Sequence, residues 1–306
     1  MNTPQTSDPH RLASAVIVVG VDGSDGSDLA VRWAAATALH RRRQLLIVHG
    51  LDLAAARAKL ARHDVLTGPI IETIHQRGHK IVTDARRLAL EIDPELVVST
   101  EISEEGPAQL LIQASRTAYL VALGVTGNAG SFAHLGSTLL AVTSHGHGPV
   151  LVVRGTDGET PVRRTGPVVV GADTSVGGGA AIAAAFAEAA ERGTELIAVH
   201  AWIDWNLDGF AGRPDLGATE GDLENAEDAL LAERLAGWQE KYPDVRVTRQ
   251  LHPGGPIRPL MDLSGTAQLI VVGTRGHGAF TGLLLGSTSN FLVQHAHCPV
   301  LVTHQE

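Results

Sequence analysis

Cysteine is nearly missing from this 306-residue chain. Cys298 stands alone, which excludes an intramolecular disulfide framework and suits a reducing compartment such as the cytoplasm. Aromatic residues make up only 4%, so the cores must be built from aliphatic side chains. No apolar run approaches the roughly 18 residues that span a bilayer, and no membrane partner is expected. The first residues, MNTPQTSDPHRLAS, hold no apolar segment of the secretory kind. Residues 1–14 therefore read as a disordered tail.

Basic patches are scarce too. Residues 1–155 carry 14 Lys and Arg against 14 Asp and Glu, whereas residues 156–306 carry 10 against 19, the source of the whole net charge of −9. A nucleic-acid binder would show a basic stripe. The one basic run, HRRRQ from His40 to Gln44, follows a helical pattern and reads as a solvated helix C-terminus. Three catalytic signatures are also missing. There is no G-x-S-x-G elbow, no Gly-Lys-Ser/Thr phosphate loop, and no G-x-G-x-x-G fingerprint after a strand. His49 and His200 each follow a strand pattern, but nothing pairs them with a nucleophile.

What the chain does have is a repeat. VIVVGVDGS (Val16 to Ser24) returns as VVVGADTS (Val168 to Ser175), and LLIVHG (Leu45 to Gly50) as LIAVHA (Leu196 to Ala201). Farther on, SHGHGPVLVV returns as QHAHCPVLVT, and a Gly-Pro pair recurs in register. The offsets stay near 150 residues, the mark of a tandem duplication. Domain 1 is expected over residues 15–155 and domain 2 over 167–306. Between them lies a polar Gly/Pro linker, residues 156–166.

Within each copy, short β-rich runs alternate with Ala/Leu-rich helical patterns. In the first copy the strands are expected at Val16–Val21, Leu45–Val48, Leu96–Thr100, Tyr119–Leu123 and Val150–Val153. The first helices are SDLAVRWAAATALHRR and AIAAAFAEAAERG, the second stopping at Gly193. Strands that are apolar at consecutive positions indicate a parallel sheet buried on both faces. The fold class is therefore α/β: two tandem doubly wound domains, each with a five-stranded parallel sheet. In such sheets ligands bind beyond the carboxyl ends of the strands.

Two features fall at those ends. The first is an aspartate directly after strand 1, Asp22 and Asp173. Its carboxylate can accept hydrogen bonds from a ribose or an adenine amino group, or with its serine neighbour it can cap the next helix. The second is VVGTRGHGAFTGLLLGSTSN, Val271 to Asn290, where Gly273, Gly276, Gly286 and Ser287 follow a strand. Glycines admit close approach of a ligand to the backbone, and a helix start with free N–H groups suits phosphate oxygens. The paired histidines His145/His147 and His295/His297 have metal-like alternation but no third ligand at diagnostic spacing, which favours a surface or contact role. Cys298 lacks an activating His/Asn arrangement and reads as a packed residue.

Together these motifs resemble the universal stress protein family in its tandem, nucleotide-binding form, across about Ala15 to Thr303. The most specific element is G-x2-G-x9-G-(S/T), met in full by Gly273, Gly276, Gly286 and Ser287. The resemblance implies a Rossmann-like, adenine nucleotide alpha hydrolase-like fold with ATP lying across the strand ends. It assigns Asp173 to the adenosine part and Ala201 to the flank of the adenine. Val272, Gly273, Arg275 and Gly276 would form one side of the loop, and Gly286, Ser287, Thr288 and Ser289 would bind phosphates. In copy 1 the counterparts are Asp22, Gly50, Leu123, Gly124, Gly127, Gly136, Ser137 and Thr138.

Copy 1 departs from the pattern. Eight residues, not nine, separate Gly127 from Gly136, Thr126 replaces Arg275, and Leu139 stands where Ser289 offers a hydroxyl. A missing residue shifts a backbone donor by up to about 3.5 Å, so site 2 is expected to bind ATP well and site 1 weakly or differently. The resemblance implies an ATP-dependent regulator of the stress response rather than a robust enzyme, with Mg²⁺ or Mn²⁺ accompanying the phosphates. A slow ATPase and an interaction module with vestigial sites are the alternatives. Homodimerisation and an unidentified protein partner stay open. The acidic segment Trp202 to Asn225 reads as a lid or an irregular surface loop leading into the helix AEDALLAERLAGWQEKY.

Overall fold

The computed structural model describes residues 10, 12, 14–61, 67–125, 136–155, 162–173, 178–202, 220–274 and 285–304. The chain divides into two compact units, residues 1–162 and 163–305.

In unit 1 the described elements are β1 (Ile17–Gly20), α1 (Asp25–His40), β2 (Leu45–Gly50), α2 (Leu53–Leu60), α3 (Thr67–Leu90), β3 (Val98–Ser103), α4 (Pro107–Ala114), β4 (Leu120–Gly124), α5 (Ser137–His145) and β5 (Val150–Val153). Their order in the sheet is β3-β2-β1-β4-β5, all parallel. The chain runs outward from β1 to one side and then returns to the other. β1 and β4 therefore flank the switch point, whose carboxyl ends open a crevice. β1, β4 and β5 are buried along their lengths, as their runs of Val, Ile and Leu require of a sheet covered on both faces. Helix α1 packs against α3, and α4 against α5.

Unit 2 repeats the plan with β6 (Val168–Gly171), α6 (Gly179–Arg192), β7 (Leu196–Trp202), α7 (Glu220–Lys241), β8 (Val247–Pro253), α8 (Ile257–Ser264), β9 (Leu269–Gly273), α9 (Ser287–His295) and β10 (Val300–Thr303). The sheet order is β8-β7-β6-β9-β10, again parallel. Helix α6 ends as expected at Gly193, which takes the left-handed conformation (φ 59°). Phe186 of α6 stacks with Trp238 and Tyr242, whose rings join α7 to the core. Among the described residues no helix is long and apolar enough to cross a membrane.

Three sequence expectations need correction. The third strand runs over Val98–Ser103, not Leu96–Thr100, and all of it is exposed or half-buried. Leu96 is held in a turn by its N–H to Asp93 O (3.2 Å), and β3 pairs on one side only, so VSTEIS needs no continuous apolar run. The acidic segment is not irregular throughout. Trp202 belongs to β7, and Glu220–Asn225 form the first turns of α7; residues 203–219 lie outside the described residues. Finally, the arginine run is not merely solvated. The Arg41 and Arg43 guanidinium groups lie 5.1 and 4.1 Å from the centre of the Tyr119 ring. Arg43 also donates to Leu12 O and Ala15 O at 2.8 and 2.7 Å, fastening the entry to β1.

Candidate functional site

A cavity of about 300 Å³ opens at the carboxyl ends of unit 1's strands, within the size range of small-molecule sites. It gathers Asp22, Gly50, Leu123, Gly124, Gly136, Ser137 and Thr138. The eighth expected residue of this copy, Gly127, lies outside the described residues. Pro107, Leu110 and Leu111 of α4 supply an apolar wall, and Leu139 adds to it.

Each polar member has a local cause. β1 ends at Gly20, and Gly23 takes a positive φ of 81° to turn the chain into α1. Asp22 Oδ1 accepts from the Ser24 N–H at 3.0 Å and the Ser24 hydroxyl at 2.6 Å. Ser24 in turn caps α1 by accepting from Ser27 N–H at 3.2 Å. The capping interpretation thus holds for one carboxylate oxygen of Asp22. Across the cavity, α5 begins at Gly136 with no side-chain cap, so its first N–H groups and the Ser137 and Thr138 hydroxyls form a donor-rich end.

The glycines prove to have different jobs. A Cβ on Gly124 would lie 1.8 Å from Gly26 O, and one on Gly50 would lie 2.7 Å from the Pro107 backbone. These two glycines let α1 and α4 press against the strand ends. Gly136, exposed at the rim of the cavity, has nothing among the described residues within 4 Å of its Cβ position.

In unit 2, Asp173 follows β6, Ala201 lies in β7, and Val272 and Gly273 close β9. Gly286, Ser287, Thr288 and Ser289 make the uncapped start of α9. Arg275 and Gly276 lie outside the described residues. Here the strand end and helix start are sewn together. Gly286 N–H donates to Thr274 O at 2.7 Å, and the buried Ser289 hydroxyl donates to Gly273 O at 2.6 Å. In copy 1 the position of Ser289 is held by Leu139, which cannot make that bond.

The role of His49 and His200, left without a partner in the sequence, is set by the structure. His49 Nδ1 donates to Val21 O at 2.7 Å, and His200 Nδ1 to Ala172 O at 3.1 Å. Each imidazole braces the residue just before the expected aspartate. His200 is further held by Glu227 of α7, its Nε2 lying 2.8 Å from Oε2. The signal was available, because both histidines recur at the repeat offset, although they lie inside β2 and β7 rather than after a strand as expected.

The paired histidines belong to the other end of the sheet. His145 and His295 end α5 and α9, and His147 and His297 precede β5 and β10, at the amino ends of the strands. The His147 and His297 N–H groups donate to Ser115 and Ser264 hydroxyls at 3.0 and 3.1 Å, a structural role common to both copies. Among the described residues no three His, Cys, Asp or Glu side chains converge as a metal site. Cys298 is buried, and desolvation pushes its thiol up to about 12, so it is a packed rather than a nucleophilic residue.

Comparison with known proteins agrees with this architecture. The universal stress protein family matches residues 15–154 and again 165–304. A Mycobacterium tuberculosis universal stress protein is 40% identical over 296 residues, covering 94% of this chain and 97% of its own. One from Mycolicibacterium smegmatis is 38% identical over 290 residues, covering 94% and 96%. The crystal structure of a universal stress protein from Archaeoglobus fulgidus superimposes with a TM-score of 0.69 at 16% identity, covering 96% of this chain and all of that one, which speaks for the fold. With both halves matched and relatives aligned almost end to end, this chain belongs to the universal stress protein family, in its tandem two-domain form.

Proposed function

We propose that the chain is an ATP-binding regulator of the stress response, with one nucleotide site at the strand ends of each unit. The observation that carries this reading is the unit 1 cavity, where the Asp22 carboxylate and the uncapped start of α5 face each other across an apolar wall. An adenine suits the Pro107–Leu110–Leu111 side. Asp22 has its Oδ2 left for a ribose hydroxyl, and the α5 N–H groups with Ser137 and Thr138 suit phosphate oxygens. In unit 2 the same roles fall to Asp173, Ala201, Val272, Gly273, Arg275, Gly276, Gly286, Ser287, Thr288 and Ser289. A Mg²⁺ or Mn²⁺ ion would arrive with the phosphates, since the described side chains form no cage for it.

The test is to purify the chain, denature it and chromatograph the released nucleotide. Intact ATP supports the regulator. ADP together with turnover of added ATP would mean a slow ATPase, and the absence of nucleotide would leave an interaction module.

A further inference from the structure

Two buried side-chain nitrogens stand at the carboxyl ends of neighbouring strands in unit 2 without a hydrogen-bond partner among the described residues: Trp202 Nε1 on β7 and His252 Nε2 on β8. Buried polar groups are nearly always satisfied, and leaving one bare costs about 1–3 kcal/mol. Such an atom at the mouth of a candidate site invites a ligand atom.

The strand register separates the two. Side chains alternate between the faces of a strand. His200 reaches Glu227 of α7, so Ala201 faces the other way and Trp202 returns to the α7 side. His252 is the register partner of Ala201 on the adjacent parallel strand, about 4.8 Å away, and shares its face. In unit 1 the equivalent pair is Gly50 with Ser103, and Gly50 lines the cavity beside Pro107 and Leu110. The match between copies is secured by His49 and His200, which make the same bond one residue earlier. Ser103 in copy 1 already accepts from the Glu105 N–H at 3.1 Å. Among the described residues, only copy 2 therefore places an unsatisfied buried nitrogen at this end of the strands.

We infer that His252 is a specificity-determining residue of unit 2, hydrogen-bonding the nucleobase edge of the bound nucleotide. This rests on the nucleotide-binding reading above and names the base contact within it. The phosphates lie at the far side, on the start of α9, so His252 senses the base and not the polyphosphate tail. In copy 1 Ser103 takes the place of His252 and is not among the residues that line the cavity, whose wall beside Gly50 is the apolar Pro107, Leu110 and Leu111.

The test uses the full chain with site 1 filled by Gly136→Phe, a position where a side chain meets open space. Calorimetric titrations with ATP, adenosine and inorganic tripolyphosphate are compared before and after His252→Leu. The expected result is a loss of about tenfold in affinity for ATP and adenosine, as for one hydrogen bond to a buried group, with tripolyphosphate unchanged. His252→Gln, which keeps a polar atom, should recover most of the loss. Unchanged ATP affinity, or an equal loss on tripolyphosphate, overturns the assignment while leaving nucleotide binding intact. If the chain without the His252 change takes up no ATP, the reading of the site itself falls, and the base contact with it. A thermal melt of each variant identifies any loss caused by misfolding, and His252→Gln then decides.

Discussion

The Ser289 hydroxyl donates to the carbonyl of Gly273 at 2.6 Å, fixing the first turn of α9 onto the end of β9. In copy 1 the corresponding side chain is Leu139, which lines the cavity instead. The two copies thus share a plan but differ in how firmly the helix that follows the fourth strand is tied to that strand's end.

Ser289→Ala is expected to cost about 1 kcal/mol of stability, one buried hydrogen bond, with a larger proportional loss of ATP affinity in unit 2 because the α9 donors are no longer held in place. Urea unfolding and calorimetry would measure both. The reciprocal change, Leu139→Ser, should raise ATP affinity in unit 1; no change there would argue against the tie as the source of the difference.

Gly124→Ala should be among the most damaging single changes in unit 1. Its methyl would have to occupy space 1.8 Å from Gly26 O, so α1 must move, at a cost of about 1–3 kcal/mol or more. Gly136→Ala meets no neighbour and should leave the melting temperature within a degree or two. Similar melting temperatures for the two variants would disprove the distinction drawn between these glycines.

Gly136→Phe should fill the unit 1 cavity without unfolding the chain. If each unit holds one nucleotide, the ATP stoichiometry of the full chain drops from two to one. A stoichiometry that stays at two would remove the unit 1 cavity from the binding scheme.

Cys298 should resist iodoacetamide in the native chain at pH 8 and react on unfolding, since only the thiolate attacks. Burial raises its folded pKa from 9.0 to about 12. The folded state therefore holds the proton more tightly than the unfolded one. Its contribution to stability is intact below pH 9 and is lost progressively between pH 9 and about 12, at up to about 1.4 kcal/mol per unit. Cys298→Ser would remove that component of the alkaline limb in a pH-resolved denaturation series.

Much of the fold was legible because the central strands are dense in Val, Ile and Leu. Leu45, Val150 and Val153 were placed at their true strand ends, and β1 and β4 within one residue. β3 was misplaced because an edge strand needs no such density, and the apolar Leu96 before it serves a turn. The Asp22 turn was legible as a position, but the reasons for the flanking glycines were not: sequence cannot tell Gly124, pressed against a helix backbone, from Gly136, which meets open space. The braces from His49 and His200 were visible as repeats, yet their partners are main-chain carbonyls, which carry no sequence signal.

The outer strands β3 and β8 have one further consequence, for how this protein stays dispersed in a crowded solution. Each pairs on one side only within its unit, and a long bare apolar edge is a template for fibril growth. Here Ser99, Thr100 and Glu101 make the exposed stretch of β3. On β8, Arg249 is held by two hydrogen bonds to Asp228 of α7, at 2.8 and 2.9 Å. Polar and charged side chains thus stand where an incoming strand would have to bury them, and the polarity that hid β3 from a hydrophobic scan is what discourages the sheet from recruiting foreign strands.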